Sequence, residues 1–202
     1  MIYDYVLSGM HYGKPKSTTD KDLYYSGKNP KTDKEWLPSN QKYGRKEVSK
    51  DEVVNTYTKA SNNKTDYTFG NGNSVYACNI GVGNCTDYHS YFMSLCRTLD
   101  IPVRFHMGFS IPENKLEGKI DGYHCWADYY INEEGWAPVD ISEADKDPNQ
   151  KDYFFGTIDN NRIEFTLGRD LELKNYEGTL NFFIYPLVKG TNHTKSFSYK
   201  NL

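Results

Sequence analysis

The chain has 202 residues and a formal net charge of -3, from 24 Lys and Arg against 27 Asp and Glu. This balance, without any long block of like charges, disfavours nucleic acid and anionic membranes as partners. Only 37% of the residues are hydrophobic, but 15% are aromatic, which predicts a folded chain with an aromatic-rich core. The length favours one domain over residues 1–202, and no apolar window is long enough to span a membrane.

The first 66 residues combine two predicted helices with a polar stretch. Apolar side chains on one helical stripe predict a short helix over residues 1–12: Ile2, Tyr5, Val6 and Met10. From about residue 15 to 66 the chain is rich in Lys, Asn and Ser, which predicts a polar surface insertion. Within it, Ser49 and Glu52 have the spacing of a capping box, so a second helix begins there. Because the chain starts directly in a structured segment, we expect a soluble piece of a longer, exported bacterial protein, with its compartment left open.

The clearest predicted helix runs from about Cys85 to Leu99. Its apolar side chains recur at helical spacing and predict one buried face: Tyr88, Tyr91, Phe92, Leu95, Cys96 and Leu99. Asn84 offers a capping side chain at the start, and Pro102 cannot continue the helix at the end. Cys85 is therefore expected in the first helical turn.

After Pro102 the apolar residues alternate, which is typical of strands. Strands are predicted at 103–109, 123–131, 136–141, 161–167 and 180–188. A short turn at residues 132–134 joins the second and third of these into a hairpin. One helix followed by an antiparallel sheet predicts an α+β fold.

The four cysteines differ in their predicted surroundings. Cys85 lies at a helix N-terminus, where unpaired N–H groups and the helix dipole favour a thiolate, so it is the candidate nucleophile. Cys96 lies deeper on the apolar face and is expected to pack in the core. Cys78, in an irregular stretch, and Cys125, on a strand, are expected to be small hydrophobic fillers. The cysteine spacings lack the pairs of a zinc site, so no metal or cofactor is expected.

A nucleophilic thiolate also needs an imidazole to carry the proton. His89 shares the rigid helix with Cys85 and is assigned a supporting or packing role, and surface or structural roles are assigned to His11, His106 and His193. His124 differs because the next strand carries Asp140. A three-residue turn pairs Ile131 with Gly135, which places His124 and Asp140 on one face as diagonal neighbours. A register shift of one residue would place them on opposite faces.

Four segments resemble the transglutaminase-like superfamily, in a bacterial branch often described as cysteine proteases. They are Gly83-Asn84-Cys85-Thr86-Asp87-Tyr88-His89, Cys96 to Arg104, Gly122-Tyr123-His124-Cys125-Trp126-Ala127 and Gly135-Trp136-Ala137-Pro138-Val139-Asp140. The resemblance implies a papain-like α+β core in which a nucleophile-bearing helix packs on an antiparallel sheet. The stretch from about Pro15 to Asp66 departs from this branch, whose connection there is shorter.

The same resemblance implies roles for individual residues. Cys85 would attack a peptide or carboxamide carbonyl to form a thioester, His124 would act as base and then acid, and Asp140 would orient His124. The backbone N–H of Cys85 would be one oxyanion donor, and Asn79 and Tyr76 are the candidates for the second. The substrate would be a protein or peptide, and hydrolysis is favoured over crosslinking. The alternative is an inactive module that binds peptide or glycan in the same groove.

Overall fold

The computed structural model describes residues 1–13, 28–29, 31–120 and 122–201. Its α-helices are α1 (Ile2–Gly9), α2 (Lys50–Asn63), α3 (Ser74–Ile80), α4 (Cys85–Thr98) and α5 (Ile141–Lys146). Its strands are β1 (His11–Tyr12), β2 (Val82–Gly83), β3 (Val103–Ser110), β4 (Glu117–Lys119), β5 (His124–Ile131), β6 (Gly135–Val139), β7 (Arg162–Leu167), β8 (Leu171–Glu172), β9 (Thr179–Leu180) and β10 (Ser198–Lys200). None of the helices described is long and apolar enough to cross a membrane. The first part of the predicted insertion, residues 14–27, lies outside the described residues.

A four-stranded antiparallel sheet in the order β6-β5-β3-β7 forms one layer, and α4 packs against it. The alternating residues of β3 contribute to this packing, because Phe105, Met107 and Phe109 are buried in one cluster with Met93 of α4. Together with the other helices, this arrangement confirms the predicted α+β class. The strand predicted at 180–188 is reduced to β9 at its start.

The β5–β6 hairpin has the predicted register. Ile131 pairs with Gly135, and Ala127 pairs with Val139 across a three-residue turn. Because side chains alternate along a strand, this register places His124 and the residue that follows β6, Asp140, on one face.

The N-terminal helix α1 is present, and of its predicted stripe Val6 and Met10 are buried and Ile2 packs against the core, but Tyr5 does not. Tyr3 and Val6 are buried, whereas Tyr5 is 46% exposed and lies beneath the Arg45 guanidinium, 3.5 Å from its ring centroid. After α1, the two residues of β1 pair in parallel with β2 immediately before α4. The sequence did not predict this pairing, which brings the N-terminal segment to the start of α4.

The described part of the predicted insertion is not a simple surface excursion. Side chains from it are buried together with side chains of α3 and β2 in a second core cluster: Leu37, Tyr43, Val48, Val53, Tyr76, Ile80 and Val82. The interpretation as surface was wrong here, because a few well-spaced apolar residues among many Lys and Asn suffice to form a core. Helix α2 begins as predicted, with the Ser49 side chain accepting the Glu52 N–H.

Helix α3 was missed by the sequence analysis. Its N-cap is Asn73, whose side chain accepts the Tyr76 N–H at 2.9 Å. Cys78 lies on this helix and is exposed, so the prediction that it fills a hydrophobic space was wrong.

Candidate active site

Cys85 occupies the first position of α4, as predicted, and a network of backbone bonds fixes this helix start. The Asn84 side chain accepts the Thr86 N–H at 2.9 Å, and Asp87 accepts the Asn84 N–H at 3.0 Å, which completes a capping box. The Asp87 carboxylate also accepts the N–H groups of Gly70 and Gly72, at 2.8 and 2.9 Å. The preceding loop is thereby fastened to the helix, and the Cys85 sulfur is held in one place.

His124 and Asp140 meet on the face that the hairpin register predicted. His124 Nε2 lies 2.6 Å from Asp140 Oδ2. The Trp126 ring stacks beside the imidazole, with centroids 6.5 Å apart, and limits its rotation. Since Nε2 is bound to the carboxylate, Nδ1 is the nitrogen that remains for Cys85, and the two side chains are in hydrogen-bonding contact.

Asp140 is fully buried and is satisfied on both oxygens. Oδ1 accepts the Ser142 hydroxyl at 2.8 Å and the Glu143 N–H at 3.0 Å, so that the carboxylate also caps α5. Arg162 contacts Oδ2 and binds Asp159 through its other nitrogens. Burial alone would raise the pKa of Asp140, but His124 and Arg162 outweigh it and hold that pKa well below its ordinary value. Sequence reasoning missed Arg162, because nothing local marks the first residue of a strand as a partner of Asp140.

The pKa values of Cys85 and His124 move in opposite directions. A hydrogen bond from Cys125 and the interaction with His124 hold the pKa of Cys85 well below its ordinary value, although burial opposes them. Burial would lower the pKa of His124, but Asp140 and Cys85 outweigh it and raise that pKa to about 9. The favoured state at neutral pH is therefore a thiolate beside an imidazolium.

Cys125 is buried as predicted, but it is more than a filler. Its sulfur lies 3.7 Å from Thr86 Oγ1 and 3.9 Å from His89 Nδ1, and its thiol contacts Cys85. Burial and the neighbouring Cys85 raise the pKa of Cys125, which keeps it protonated and able to donate to the thiolate. Cys96 lies in the core as predicted, and burial raises its pKa to about 12.

His89 connects the helix start to α5. Its Nδ1 lies 2.7 Å from the Cys85 carbonyl oxygen, and its Nε2 accepts the Ile141 N–H at 3.2 Å. Nδ1 therefore carries the proton and donates to the carbonyl. Burial lowers the pKa of His89, so the ring is neutral and has the supporting role expected from the sequence.

The other histidines lie outside this group. His106 is buried in the sheet, stacked on Trp126 with centroids 5.5 Å apart, and it contacts Asp128 and Glu164. Its role is structural. His11 contacts the Trp36 carbonyl, and His193 is exposed.

A cavity of about 470 Å³ opens beside Cys85 and His124. Its walls include four aromatic side chains, Tyr12, Phe69, Tyr123 and Tyr185. Lys146 and Glu143 also line it as an ion pair, and Glu143 and Ser110 are shared with a neighbouring cavity of about 620 Å³. The two cavities thus adjoin at Ser110 and Glu143 and form one cleft, in which Cys85 lines the smaller cavity.

The two residues predicted as second oxyanion donors are not brought to this cleft. Asn79 donates to the Tyr67 hydroxyl at 3.0 Å and accepts from Lys46 at 2.6 Å. Tyr76 is fully buried in the second core cluster. Since neither lines the cavity beside Cys85, we do not assign either residue as a donor.

One group in the described part of the chain has the composition of a metal site. Ligand atoms of His124, Asp140 and Glu143 lie within 4.8 Å of one another. Arg162 already binds the Asp140 carboxylate and Lys146 the Glu143 carboxylate. A divalent cation there would have to displace these cations, so the group suits acid–base chemistry better than metal binding.

Comparison with known proteins assigns the family. A protein of Haemophilus influenzae named "Uncharacterized protein" is 28% identical over 166 residues, which cover 65% of this chain and 45% of that protein. The chain thus spans less than half the length of this relative. A crystal structure of a "Putative Cysteine Protease" from Cytophaga hutchinsonii aligns with 83% of this chain and 34% of its own, at 14% identity and a TM-score of 0.41. Residues 38–141, which include Cys85, His124 and Asp140, match the model of the transglutaminase-like superfamily. The chain belongs to the transglutaminase-like superfamily.

Proposed function

We propose that the chain is a cysteine hydrolase that cleaves peptide or carboxamide bonds through Cys85, His124 and Asp140. The observation that carries this proposal is the 2.6 Å contact of His124 Nε2 with Asp140, with Cys85 on the other side of the imidazole. This arrangement supports the role of Cys85 as an activated thiol nucleophile.

In the proposed first half-reaction the Cys85 thiolate attacks the carbonyl carbon. The electron pair of the C=O bond moves to oxygen, and the Cys85 backbone N–H donates a hydrogen bond to the resulting oxyanion. When the tetrahedral intermediate collapses, His124 Nδ1 gives its proton to the departing amine and a thioester remains. Asp140 holds the ring in position and stabilises its charged form.

In the second half-reaction a water molecule replaces the amine. His124 takes a proton from the water, the thioester bond breaks, and the products are a carboxylic acid and the Cys85 thiolate. Hydrolysis is proposed over transamidation because the cavity beside Cys85 opens to solvent, so water reaches the thioester directly.

The test compares hydrolysis and transamidation in one preparation. Wild type, Cys85→Ala and the control Cys96→Ala are incubated with fluorescently labelled casein, or with casein and a dansylated primary amine. We expect peptide release by wild type and Cys96→Ala, none by Cys85→Ala, and little amine incorporation.

The same proteins are then exposed to a thiol-reactive peptide probe. Labelling of wild type at Cys85 is expected even if casein is a poor substrate. Amine incorporation that exceeds hydrolysis would favour a crosslinking enzyme. No labelling at Cys85 would contradict the enzyme proposal and favour the inactive binding module.

A further inference from the structure

Tyr12 is placed beside Cys85 by backbone contacts rather than by sequence proximity. Strand β1 pairs in parallel with β2, with Tyr12 opposite Gly83, and the Gly13 N–H donates to the Gly83 carbonyl at 3.0 Å. On the other side, the Tyr12 N–H donates to Asp145 Oδ2 at 2.8 Å. The backbone of Tyr12 is thus fixed opposite Gly83, which precedes Cys85 by two residues in the chain.

The Tyr12 ring contacts two aromatic rings at the cavity wall. Its centroid lies 5.1 Å from that of Trp36 and 6.3 Å from that of Tyr88. Restricted in this way, the ring presents its hydroxyl with little conformational freedom to lose when a ligand binds.

The hydroxyl of Tyr12 differs from those of the other tyrosines at the cavity. The Tyr123 hydroxyl lies 3.3 Å from Thr86 Oγ1, and the Tyr185 hydroxyl is in hydrogen-bonding contact with the Tyr123 backbone N–H. Among the described residues, none forms a hydrogen bond with the Tyr12 hydroxyl. Because Tyr12 lines the cavity that opens beside Cys85, its hydroxyl can donate to a ligand bound there.

Electrostatics suit this hydroxyl to donate a hydrogen bond. Burial raises the pKa of Tyr12, so the phenol stays protonated at working pH. The Lys146 ammonium lies 4.3 Å from the ring centroid and draws electron density from the ring, which strengthens the O–H as a donor. Tyr12 also interacts electrostatically with Cys85, so negative charge that develops at the reaction centre is within its range.

We infer that the Tyr12 hydroxyl is the second donor of the oxyanion hole, beside the backbone N–H of Cys85. This inference rests on the proposed function. When the thiolate adds to the carbonyl carbon, the C=O electron pair moves to oxygen, and the hydroxyl donates to that oxygen without giving up its proton. Tyr12 therefore fills the position for which the sequence offered Asn79 and Tyr76.

The test separates oxyanion stabilisation from thiol reactivity. p-Nitrophenyl acetate acylates a thiolate through a tetrahedral oxyanion, and its leaving group needs no proton from His124. Iodoacetamide alkylates the same thiolate without forming an oxyanion. The two reactions are followed for wild type, Tyr12→Phe, and the control Tyr130→Phe, which removes a partly exposed hydroxyl from β5.

For Tyr12→Phe we expect the p-nitrophenol burst to slow by ~10²-fold, as for loss of one oxyanion donor, with the rate of Cys85 alkylation unchanged. Tyr130→Phe should match wild type in both reactions. An undiminished burst in Tyr12→Phe, or an equal loss in both reactions, would overturn the role of Tyr12 while leaving the proposed function intact. A wild-type chain without a Cys85-dependent burst would contradict the proposed function and this inference together.

Discussion

Cys125→Ala tests whether the second buried thiol helps to ionise Cys85. The interaction with the Cys125 thiol lowers the pKa of Cys85, and Cys125→Ala removes that thiol. A hydrogen bond to a charged group contributes ~1.5–3 kcal/mol, and a thiol is a weak donor, so the low end of that range applies. Because one pKa unit corresponds to ~1.4 kcal/mol, loss of the bond should raise the pKa of Cys85 by about one unit.

The assay is the pH profile of Cys85 alkylation by iodoacetamide, measured by mass spectrometry of the Cys85 peptide. With Cys125→Ala the profile should move to higher pH by about one unit, which slows alkylation ~10-fold on its acidic limb. Cys125→Ser keeps a donor at the same place and should remain close to wild type.

Two results would refute this reasoning. One is a Cys125→Ala profile that superimposes on that of wild type. The other is an equal shift in Cys96→Ala, which removes a thiol buried elsewhere on α4 and should leave the profile in place. Thermal unfolding of each variant shows whether its fold is retained, so a shift caused by local unfolding is recognised.

Three further predictions follow from the same site. At pH 6, peptide mapping should find Cys85 alkylated far faster than Cys96, and modification of Cys96 first would reverse their roles. Asp140→Asn should keep the fold, since Asn also caps helices. Its activity should fall by ~10²- to 10⁴-fold because an amide favours the wrong imidazole tautomer, and full activity would exclude the orienting role. Arg162→Met should lower the free energy of unfolding in urea by ~3–5 kcal/mol, because Arg162 is only 3% exposed and Asp140 would lose its cation; a loss below ~1 kcal/mol would contradict this.

The parts of the site that the sequence predicted depend on local signals. The capping side chain of Asn84 and the helical periodicity after it locate Cys85 at a helix start. The three-residue turn sets the hairpin register, and that register alone brings His124 and Asp140 to one face. Each of these signals lies within about 20 residues of chain, where turn geometry and period dominate.

The parts that the sequence did not predict depend on distant segments. Arg162 begins β7, at the opposite edge of the sheet from β6, and still reaches Asp140. Tyr12 reaches the cleft through a strand of two residues, which is too short to show a period. The second core was hidden by composition, because a residue such as Val48 stands alone between polar neighbours. In each case the position is decided by tertiary packing, which leaves no local pattern.

Asp140 holds His124 and also caps α5 and neutralises Arg162, so the same carboxylate serves both the proposed reaction and the fold. Cys85 has no comparable structural duty. In a lineage that no longer uses the reaction, substitutions at Cys85 can accumulate at once, whereas Asp140 stays under selection for folding. Descendants that have lost activity should therefore keep the acid long after the cysteine is gone, and retention of the acid alone is poor evidence of an enzyme.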